Sequence, residues 1–377
     1  MKNNKLKILQ VNKLYYPVIG GVEKVVQDIS EGVNDEFDVK VLVCNSGTAS
    51  VTEKVNGIEV TRAGSVGSLF SMPVSLSFPF VFKELSKDSD ILHFHFPFPL
   101  GDISCLMFKP KGKIVITWHS DIVKQKNVLS LYQPFLKKFL KRADRIVATS
   151  PNMIEHSVFL SEIRNKCSVI PLSINMEDYR RTGTIDEKVR ALRSVNGDKI
   201  VLFIGRLVYY KGVEYLIRAM SKINAKLVII GDGPLELSLK ELAIKTEVAD
   251  KIIWLKNIPD AELKVYYHAC DVFTLPSVER SEAFGLVQLE AMACRKPVVS
   301  TDLLTGVPFV NQHDKTGFIV PPRDDTALAE AINKLLAEPS LRESMGDYAF
   351  KRVEKEFNRK KMLSDYISLY KDVVSYD

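Results

Sequence analysis

Long apolar runs are missing from this sequence of 377 residues. No stretch reaches the roughly 18 continuous apolar residues that a membrane-spanning helix needs. The N-terminal run Met-Lys-Asn-Asn-Lys also lacks the apolar segment of a secretory signal peptide. We therefore expect a cytoplasmic protein without a transmembrane helix.

Cysteine is scarce and scattered. The chain has five cysteines, an odd number, and no pair of them has CxxC spacing. This excludes a disulfide framework and a zinc site built from paired cysteines. We expect reduced thiols at Cys44, Cys105, Cys167, Cys270 and Cys294.

An excess of charge of one sign is absent as well. Lysine and arginine total 52 against 46 acidic residues, which gives a net charge of +6. Without a basic stripe or motif, this balance does not indicate a nucleic-acid partner. With 46% hydrophobic residues, the chain is long enough for two domains with full cores.

Acidic residues at metal-binding spacing occur at Asp88-Ser89-Asp90. We interpret them as polar residues that end a helix before the apolar strand at residues 91–96. Two isolated carboxylates supply fewer oxygens than Mg²⁺ prefers. The sequence therefore predicts no metal site here.

What the chain does contain is a repeated order of short apolar strand, loop and helix, which predicts an α/β fold with parallel sheets. The clearest example is the strand at 272–275, followed by a polar loop and a helix that begins near Gly285. Helix starts carry unpaired N–H groups and suit a phosphate. Glu282 and Glu290 bracket this point. They are either solvated residues or carboxylates held by sugar or ribose hydroxyls.

A second strand-loop-helix unit begins with the apolar residues 200–204. Arg206 and Lys211 follow this strand and flank the start of the next helix. Arginine can bind phosphate with two hydrogen bonds and lysine acts as a point charge. We interpret the two residues as a clamp for a diphosphate; the alternative is a pair of solvated surface cations.

Near the N-terminus, the strand at residues 6–11 leads through Tyr15-Tyr16-Pro17 to Gly20-Gly21 and a helix. A glycine pair at a helix start lets the backbone approach a phosphate or sugar closely, although a simple tight turn has the same pattern.

Two histidines lie at the ends of predicted strands. His95 is near the carboxyl end of the strand at 91–96, and His119 follows the strand at 114–118. Open α/β sheets bind ligands at this edge. Each histidine is either a structural residue or part of such a site.

One motif begins with Glu-Ala-Phe-Gly at 282–285 and, after four residues, continues with Glu-Ala-Met-Ala-Cys at 290–294. It resembles the signature of the family-4 (group 1) glycosyltransferases. A second motif is also close to that family's pattern: Gly-Arg-Leu, three further residues and Lys-Gly, at 205–212.

The resemblance covers nearly the whole chain. It implies the GT-B architecture, with two Rossmann-like domains whose parallel sheets face an interdomain cleft. The N-terminal, acceptor-binding domain would span 1–175, with a C-terminal helix at about 359–377 packing back on it. The donor-binding domain would span 176–358.

The resemblance also implies roles for individual residues. The catalytic group would be Glu282, His119, Arg206 and Lys211. The donor diphosphate would contact Gly20, Gly21, Arg206, Lys211, Gly285 and Leu286. The nucleoside would contact Glu290, Asn257 and Ile258, and the donor sugar Glu282, Ala283, Phe284 and Gly285. The acceptor would face Tyr15, Tyr16, Pro17 and His95. One departure is Thr305-Gly306-Val307-Pro308-Phe309, where the family usually has Gly-Gly-x-Pro-Glu.

By resemblance, the predicted activity is a retaining, metal-independent glycosyl transfer that needs no cofactor. A nucleoside-diphosphate sugar, with GDP-mannose favoured and a UDP-sugar next, would donate to a glycan. The acceptor would be lipid-linked, in synthesis of a bacterial surface polysaccharide such as O-antigen or capsule. The alternatives are another GT-B enzyme, such as a sugar-nucleotide epimerase or a phosphorylase, and a non-catalytic protein that binds nucleotide sugars.

Two segments leave a membrane contact open. Residues 68–82 are apolar and interrupted by prolines, which suits a packed helix or an apolar patch. Residues 131–142 form a basic amphipathic helix. Its apolar face packs in the core, or the helix docks on an anionic membrane. We expect a location in the cytoplasm, with peripheral contact at the inner face of the cell membrane as the second interpretation.

Overall fold

A computed structural model describes residues 5–18, 20–69, 72–122 and 126–375. The chain divides into two compact units. The first contains residues 1–171 and 360–377, and the second contains residues 172–359. The predicted domain boundaries, after residues 175 and 358, lie close to these divisions.

The first unit is built on an eight-stranded sheet with the order β10-β9-β8-β7-β1-β2-β4-β3. All neighbouring strands are parallel except β3 and β4. The strands are β1 (Lys7–Val11), β2 (Asp38–Cys44), β3 (Val51–Val55), β4 (Ile58–Ala63), β7 (Ile91–Phe96), β8 (Lys113–Trp118), β9 (Arg145–Ala148) and β10 (Cys167–Val169). A separate two-stranded ribbon is formed by β5 (Ser68–Leu69) and β6 (Met72–Pro73).

Helices connect the parallel strands of this unit. They are α1 (Gly21–Val33), α2 (Phe78–Leu85), α3 (Pro99–Phe108), α4 (Lys126–Arg142) and α5 (Pro151–His156). The last helix of the chain, α14 (Arg359–Ser375), packs here too. The Tyr370 ring is fully buried and lies edge-on to Phe37, with 5.5 Å between centroids. Lys371 forms an ion pair with Glu36.

The second unit is built on a six-stranded sheet whose strand pairs are all parallel, in the order β13-β12-β11-β14-β15-β16. Its strands are β11 (Ile200–Ile204), β12 (Lys226–Ile230), β13 (Ile252–Leu255), β14 (Val272–Leu275), β15 (Val298–Thr301) and β16 (Gly317–Val320). Its helices are α6 (Gly183–Asn196), α7 (Val213–Ala219), α8 (Glu236–Lys245), α9 (Asp260–Ala269), α10 (Leu286–Ala293), α11 (Val307–Val310), α12 (Asp325–Ala337) and α13 (Pro339–Glu356). The predicted α/β class with parallel sheets is confirmed in both units.

Burial explains why the central strands are almost continuously apolar. Every residue of β7 and every residue of β11 is buried, as expected for strands covered on both faces. In the second unit, Phe203, Leu216 and Ile332 belong to one core cluster that joins β11, α7 and α12. Most of the candidate site residues lie in the loops and helices that follow these buried strands.

Two predicted helices differ from the structure. Residues 70 and 71 of the stretch at 68–82 lie outside the described residues. Of the rest, only the part from Phe78 onward is helical, because Pro79 suits the first turn of a helix but not its interior. The basic helix α4 begins at Lys126 rather than at residue 131. The sequence predicts one apolar face on this helix, made of Phe135, Leu136, Phe139 and Leu140. Leu136 and Phe139 are fully buried and Leu140 is 3% exposed, whereas Phe135 is 48% exposed.

Asn311 joins the last two strands of the second sheet. Its side chain is fully buried. The amide N–H₂ donates to the carbonyl oxygens of Val298 and Phe318 at 3.1 and 3.0 Å and to the hydroxyl of Ser300 at 2.9 Å. Its carbonyl accepts from the Thr316 hydroxyl at 2.7 Å.

We predict that Asn311→Ala lowers the free energy of unfolding of the second unit by about 2–4 kcal/mol, because buried partners lose their hydrogen bonds. Urea unfolding in a Trp118→Phe background isolates the signal of Trp254, since the chain has two tryptophans. Asn333→Ala, which removes a single exposed hydrogen bond, is the control and should cost under about 0.5 kcal/mol. Equal effects of the two variants would contradict the prediction.

Candidate active site

The sheet order of the second unit places the predicted residues together. Strand β11 lies between β12 and β14, so the chain leaves β11 toward one side and later returns on the other side as β14. Such a reversal of strand order opens a crevice at the carboxyl ends of the two strands, where ligands bind in open α/β sheets. Arg206 and Lys211 follow β11, and Glu282 and Gly285 follow β14.

Lys211 and Glu282 form a direct ion pair. The Lys211 ammonium lies 2.6 Å from a carboxylate oxygen of Glu282, and the two side chains are only 10% and 9% exposed. The Ser277 hydroxyl donates to the same carboxylate at 2.9 Å. Because both charges are largely shielded from water, each holds the other in place. Two of the predicted catalytic residues therefore form a single unit.

Arg206 is in a different situation. Its side chain is exposed, and it forms no hydrogen bond or ion pair with the described residues. The backbone beneath it is held closely: Gly231 has φ +151°, and a Cβ there would lie 2.0 Å from the carbonyl oxygen of Gly205. This contact holds the loop after β12 against the loop after β11. The backbone at Arg206 is thus held in place, while its exposed side chain projects from it without a partner among the described residues.

Gly285 immediately precedes α10. Its φ of +73° is the left-handed conformation, and a Cβ would lie 2.6 Å from Leu275 Cδ2, so a side chain does not fit. The first turn of α10, which begins at Leu286, leaves backbone N–H groups without intrahelical acceptors. The helix dipole favours an anion at the same place.

The loop before α10 contributes mainly backbone. The Phe284 ring is 3% exposed and packs on Phe357, with 6.1 Å between centroids. The carbonyl oxygen of Ala283 accepts from the N–H of Gly306 at 2.7 Å. Any contact of Phe284 with a sugar would therefore use its main chain. The loop around Gly306, which departs from the family pattern, therefore packs against the loop that precedes α10.

Glu290 already has hydroxyl partners inside the protein. Its carboxylate accepts hydrogen bonds from the hydroxyls of Tyr267 and Tyr179. Burial raises the pKa of Glu290, and these two hydrogen bonds act against that increase. Tyr179 lies before α6 and Tyr267 on α9, so no local sequence signal connects them to Glu290. Asn257 and Ile258 follow β13 at the same edge of the sheet, where Asn257 is exposed with φ +56°.

The first unit has the same kind of strand reversal between β1 and β7. Gly20 and Gly21 follow β1 at the start of α1. The carboxylate of Glu23 lies against this point, because a Cβ at Gly20 would be 2.2 Å from Glu23 Oε2. This acidic neighbour of the predicted phosphate position belongs to the first turn of α1.

The structure changes the predicted acceptor contacts. Tyr15 is fully buried, whereas Tyr16 is 45% exposed and Pro17 is exposed. His95 is 1% exposed, and both of its ring nitrogens are bonded within the protein, to Gln10 Oε1 at 2.9 Å and to His119 Nε2 at 3.0 Å. The side chains of Tyr15 and His95 are therefore not placed to touch an acceptor. His119 is 6% exposed, and burial lowers its pKa to about 3.

The rejected metal motif has a structural role. A carboxylate oxygen of Asp90 accepts the backbone N–H of Lys7 at 2.8 Å. Within residues 5–18, 20–69, 72–122 and 126–375, no group of three or more histidine, cysteine or acidic side chains is arranged to hold a metal ion.

Comparison with known proteins decides the family. The model of glycosyl transferases group 1 matches residues 184–352, and that of glycosyltransferase family 4 matches residues 19–178. The O-antigen chain mannosyltransferase C of Escherichia coli is 33% identical over 369 residues, which cover 97% of this chain and 98% of that protein. The chain belongs to the group 1 glycosyltransferases. The D-rhamnosyltransferase WbpZ of Pseudomonas aeruginosa is 32% identical over 354 residues, 93% of this glycosyltransferase and 92% of WbpZ.

Solved structures show the GT-B fold. Sucrose-phosphate synthase from Thermosynechococcus elongatus has a TM-score of 0.82 at 22% identity, covering 99% of this glycosyltransferase and 100% of that chain. Anabaena HepE in complex with UDP has a TM-score of 0.81 at 19% identity, covering 97% and 100%. The predicted family, the GT-B fold and the assignment as an enzyme are therefore confirmed.

The shielded Lys211–Glu282 pair gives a stability prediction. Lys211→Met leaves the Glu282 charge without its partner and should lower the free energy of unfolding by about 3–5 kcal/mol. The double variant Lys211→Met/Glu282→Gln removes both charges and should lie within about 1 kcal/mol of wild type. Urea unfolding of the wild type, both single variants (Lys211→Met and Glu282→Gln) and the double variant, as a double-mutant cycle, measures the coupling.

The matched control is the exposed pair of Lys188 and Glu262, whose side chains are 48% and 43% exposed. Lys188→Met should cost under about 1 kcal/mol. A double variant at 211 and 282 that is no more stable than Lys211→Met alone would contradict the ion-pair interpretation.

Proposed function

We propose that this glycosyltransferase transfers a hexosyl group from a nucleoside-diphosphate sugar to a glycan acceptor, with retention of anomeric configuration and without a metal ion. The single observation that supports this most is the Lys211–Glu282 ion pair at the switch point of the second sheet. Arg206, which has no ion-pair partner among the described residues, follows the same strand as Lys211. In this proposal the second unit, residues 172–359, binds the donor, and the first unit binds the acceptor.

The departing diphosphate is the largest charge that the reaction develops. Arg206 and Lys211 would bind its oxygens, together with the N–H groups at the start of α10 near Gly285 and Leu286. By the family resemblance, Gly20 and Gly21 would also contact the diphosphate. Preorganised donors of this kind stabilise developing negative charge because they need no rearrangement during the reaction. These groups would supply the positive charge that a metal ion would otherwise provide.

Glu282 and His119 would act on the donor sugar. Glu282 would accept hydrogen bonds from sugar hydroxyls and stabilise the positive charge of an oxocarbenium-like transition state. No motif supplies a nucleophile, so we propose attack of the acceptor on the face that the diphosphate leaves. The leaving phosphate would help to remove the acceptor proton.

The nucleoside would contact three further residues of the second unit. Glu290 would bind the ribose, with Tyr267 and Tyr179 holding its carboxylate. Asn257 and Ile258 would contact the base.

The relatives favour a sugar with the manno configuration. One is named a mannosyltransferase and the other a D-rhamnosyltransferase. Rhamnose is 6-deoxymannose, so the two sugars share their configuration at carbons 2, 3 and 4. We therefore propose GDP-mannose as the first donor to test and a UDP-sugar as the second. The acceptor would be a lipid-linked glycan of a bacterial surface polysaccharide, with Tyr16 and Pro17 facing it.

A lipid-linked acceptor implies contact with a membrane surface, and the first unit has suitable residues. Phe80 on α2 is 67% exposed, and Leu131 and Phe135 on α4 are 79% and 48% exposed. Exposed lysines accompany them on α4, at Lys138 and Lys141. Apolar residues mixed with cations suit the surface of an anionic bilayer. No helix in the described part of the chain is both long and apolar enough to cross a membrane.

We predict that GDP, among GDP, UDP, ADP and dTDP, gives the largest thermal shift, and that EDTA does not change it. A nucleotide at 100 times its Kd should stabilise the protein by roughly 2.7 kcal/mol. Arg206→Ala should reduce the shift, whereas Arg218→Ala, which removes an exposed arginine of α7, should not. A shift with UDP alone would change the proposed donor. No shift with any nucleotide would refute the clamp.

The matching sugar nucleotide then tests catalysis. The double variant Lys211→Met/Glu282→Gln should remain folded and lose about 1,000-fold or more in turnover, since it loses both charges that act in the transition state. Proton NMR of the product gives its anomeric configuration. Donor conversion without an acceptor product would indicate an epimerase, and binding without turnover a non-catalytic protein.

Vesicle co-sedimentation tests the membrane contact. Lys138→Glu/Lys141→Glu should weaken binding to vesicles containing anionic lipid by at least tenfold, at roughly 1 kcal/mol for each lysine removed near the surface. Leu131→Ser/Phe135→Ser should also weaken it. The control is Leu237→Ser, which changes a 71% exposed leucine in the second unit. Equal binding of all variants would exclude α4 as the contact.

A further inference from the structure

A continuous hydrogen-bonded network lies behind His119 in the first unit. It begins on the last helix, α14, where Tyr370 contacts Gln10 of β1 at 3.1 Å and His93 of β7 at 2.7 Å. Gln10 contacts His95, and His95 contacts His119, at 2.9 and 3.0 Å. All of these side chains except that of His119 are at most 1% exposed.

The amide of Gln10 sets the direction of this network. Its N–H₂ donates to the Tyr370 hydroxyl, and its carbonyl oxygen faces His95 Nε2. A carbonyl oxygen can only accept, so His95 carries a proton on Nε2. Burial holds the pKa of His95 well below its usual value, so the ring is neutral and its Nδ1 has no proton. His95 Nδ1 must therefore accept a hydrogen bond from His119 Nε2.

The other branch agrees with this direction. Since the Tyr370 oxygen accepts from Gln10, its own proton is available to His93 Nδ1. Neutral His93 then donates from Nε2 to the hydroxyl of Thr117 at 2.7 Å. Thr117 in turn contacts the hydroxyl of Tyr366 at 2.9 Å. If the amide of Gln10 were reversed, every histidine proton in the network would move to the other ring nitrogen.

We infer that Gln10 is a positioning residue, which holds His119 as the tautomer protonated on Nε2 and leaves its Nδ1 as a hydrogen-bond acceptor. No described residue hydrogen-bonds to His119 Nδ1. An acceptor at this atom suits a hydroxyl group of the bound sugar, not a phosphate oxygen, which also only accepts. The tautomer follows from the network alone, whereas its use toward a sugar rests on the proposed function.

Nitrogen-15 NMR of histidine-labelled protein reads the tautomer directly. We expect His119, identified by its loss in His119→Gln, to be protonated on Nε2 in the wild-type protein without any ligand. Gln10→Met keeps much of the volume and removes the amide, so His119 should become a mixture of tautomers or change to the Nδ1-protonated form. A wild-type His119 protonated on Nδ1 would overturn the inference, as would an unchanged tautomer in Gln10→Met.

Tyr366→Phe is the matched control, because it removes one hydrogen bond of the same network without touching Gln10, His95 or His119. It should leave the tautomer of His119 unchanged. If Gln10→Met does not fold, a wild-type His119 protonated on Nδ1 would still overturn the inference.

Activity separates this inference from the proposed function. With the donor found by thermal shift, Gln10→Met should lower kcat/KM by about tenfold, as expected for one hydrogen bond to the substrate. Tyr366→Phe should stay within about twofold of wild type. If NMR shows the predicted tautomers but the protein turns over no donor, the positioning role is supported and the proposed function is refuted. Normal turnover in a Gln10→Met protein with the changed tautomer would refute the role toward the sugar.

Discussion

The parallel pairing of β11 with β14 is the constraint on which the candidate site depends. The two strands are neighbours in the sheet, with Val201 opposite Val272 and Leu202 opposite Phe273. Because they run in the same direction, their carboxyl ends lie at one edge, and the loops after them meet. The contact between Lys211 and Glu282 is a direct result of this pairing, although the residues are far apart in the chain.

The charges at this edge are arranged unequally. Glu282 compensates Lys211, while Arg206 forms no ion pair with any residue in the described part of the chain. In the proposed function, an anion would bind Arg206 without the protein having to expose the buried Lys211. The ion pair holds Lys211 in position, which is a form of preorganisation. The close contact of Gly231 with Gly205 holds the loop that carries Arg206 in the same way.

The first unit uses the same strand reversal with different chemistry. At its switch point the polar groups are neutral histidines, a glutamine and tyrosines, most of them fully buried. Burial lowers the pKa of His93 and His119 to about 3, so these groups act as hydrogen-bond donors and acceptors and not as charges. Buried polar groups need partners, and here they obtain them from strands β1, β7 and β8 and from the last helix.

The sequence alone determined the fold class, the family and the positions of the strand ends, since apolar runs and glycine-containing loops are local signals. The strand predicted at residues 272–275 is β14 itself. Local patterns do not specify outcomes that depend on packing: Phe135 is exposed, Tyr15 and His95 are buried, and Phe80 lies on the surface. Only the tertiary structure decided that Tyr179 and Tyr267 hold Glu290, that Glu282 pairs with Lys211, and that Gln10 lies behind the histidines. These contacts join residues from separate strands and helices, and their distances depend on sheet order and burial, which no local pattern specifies.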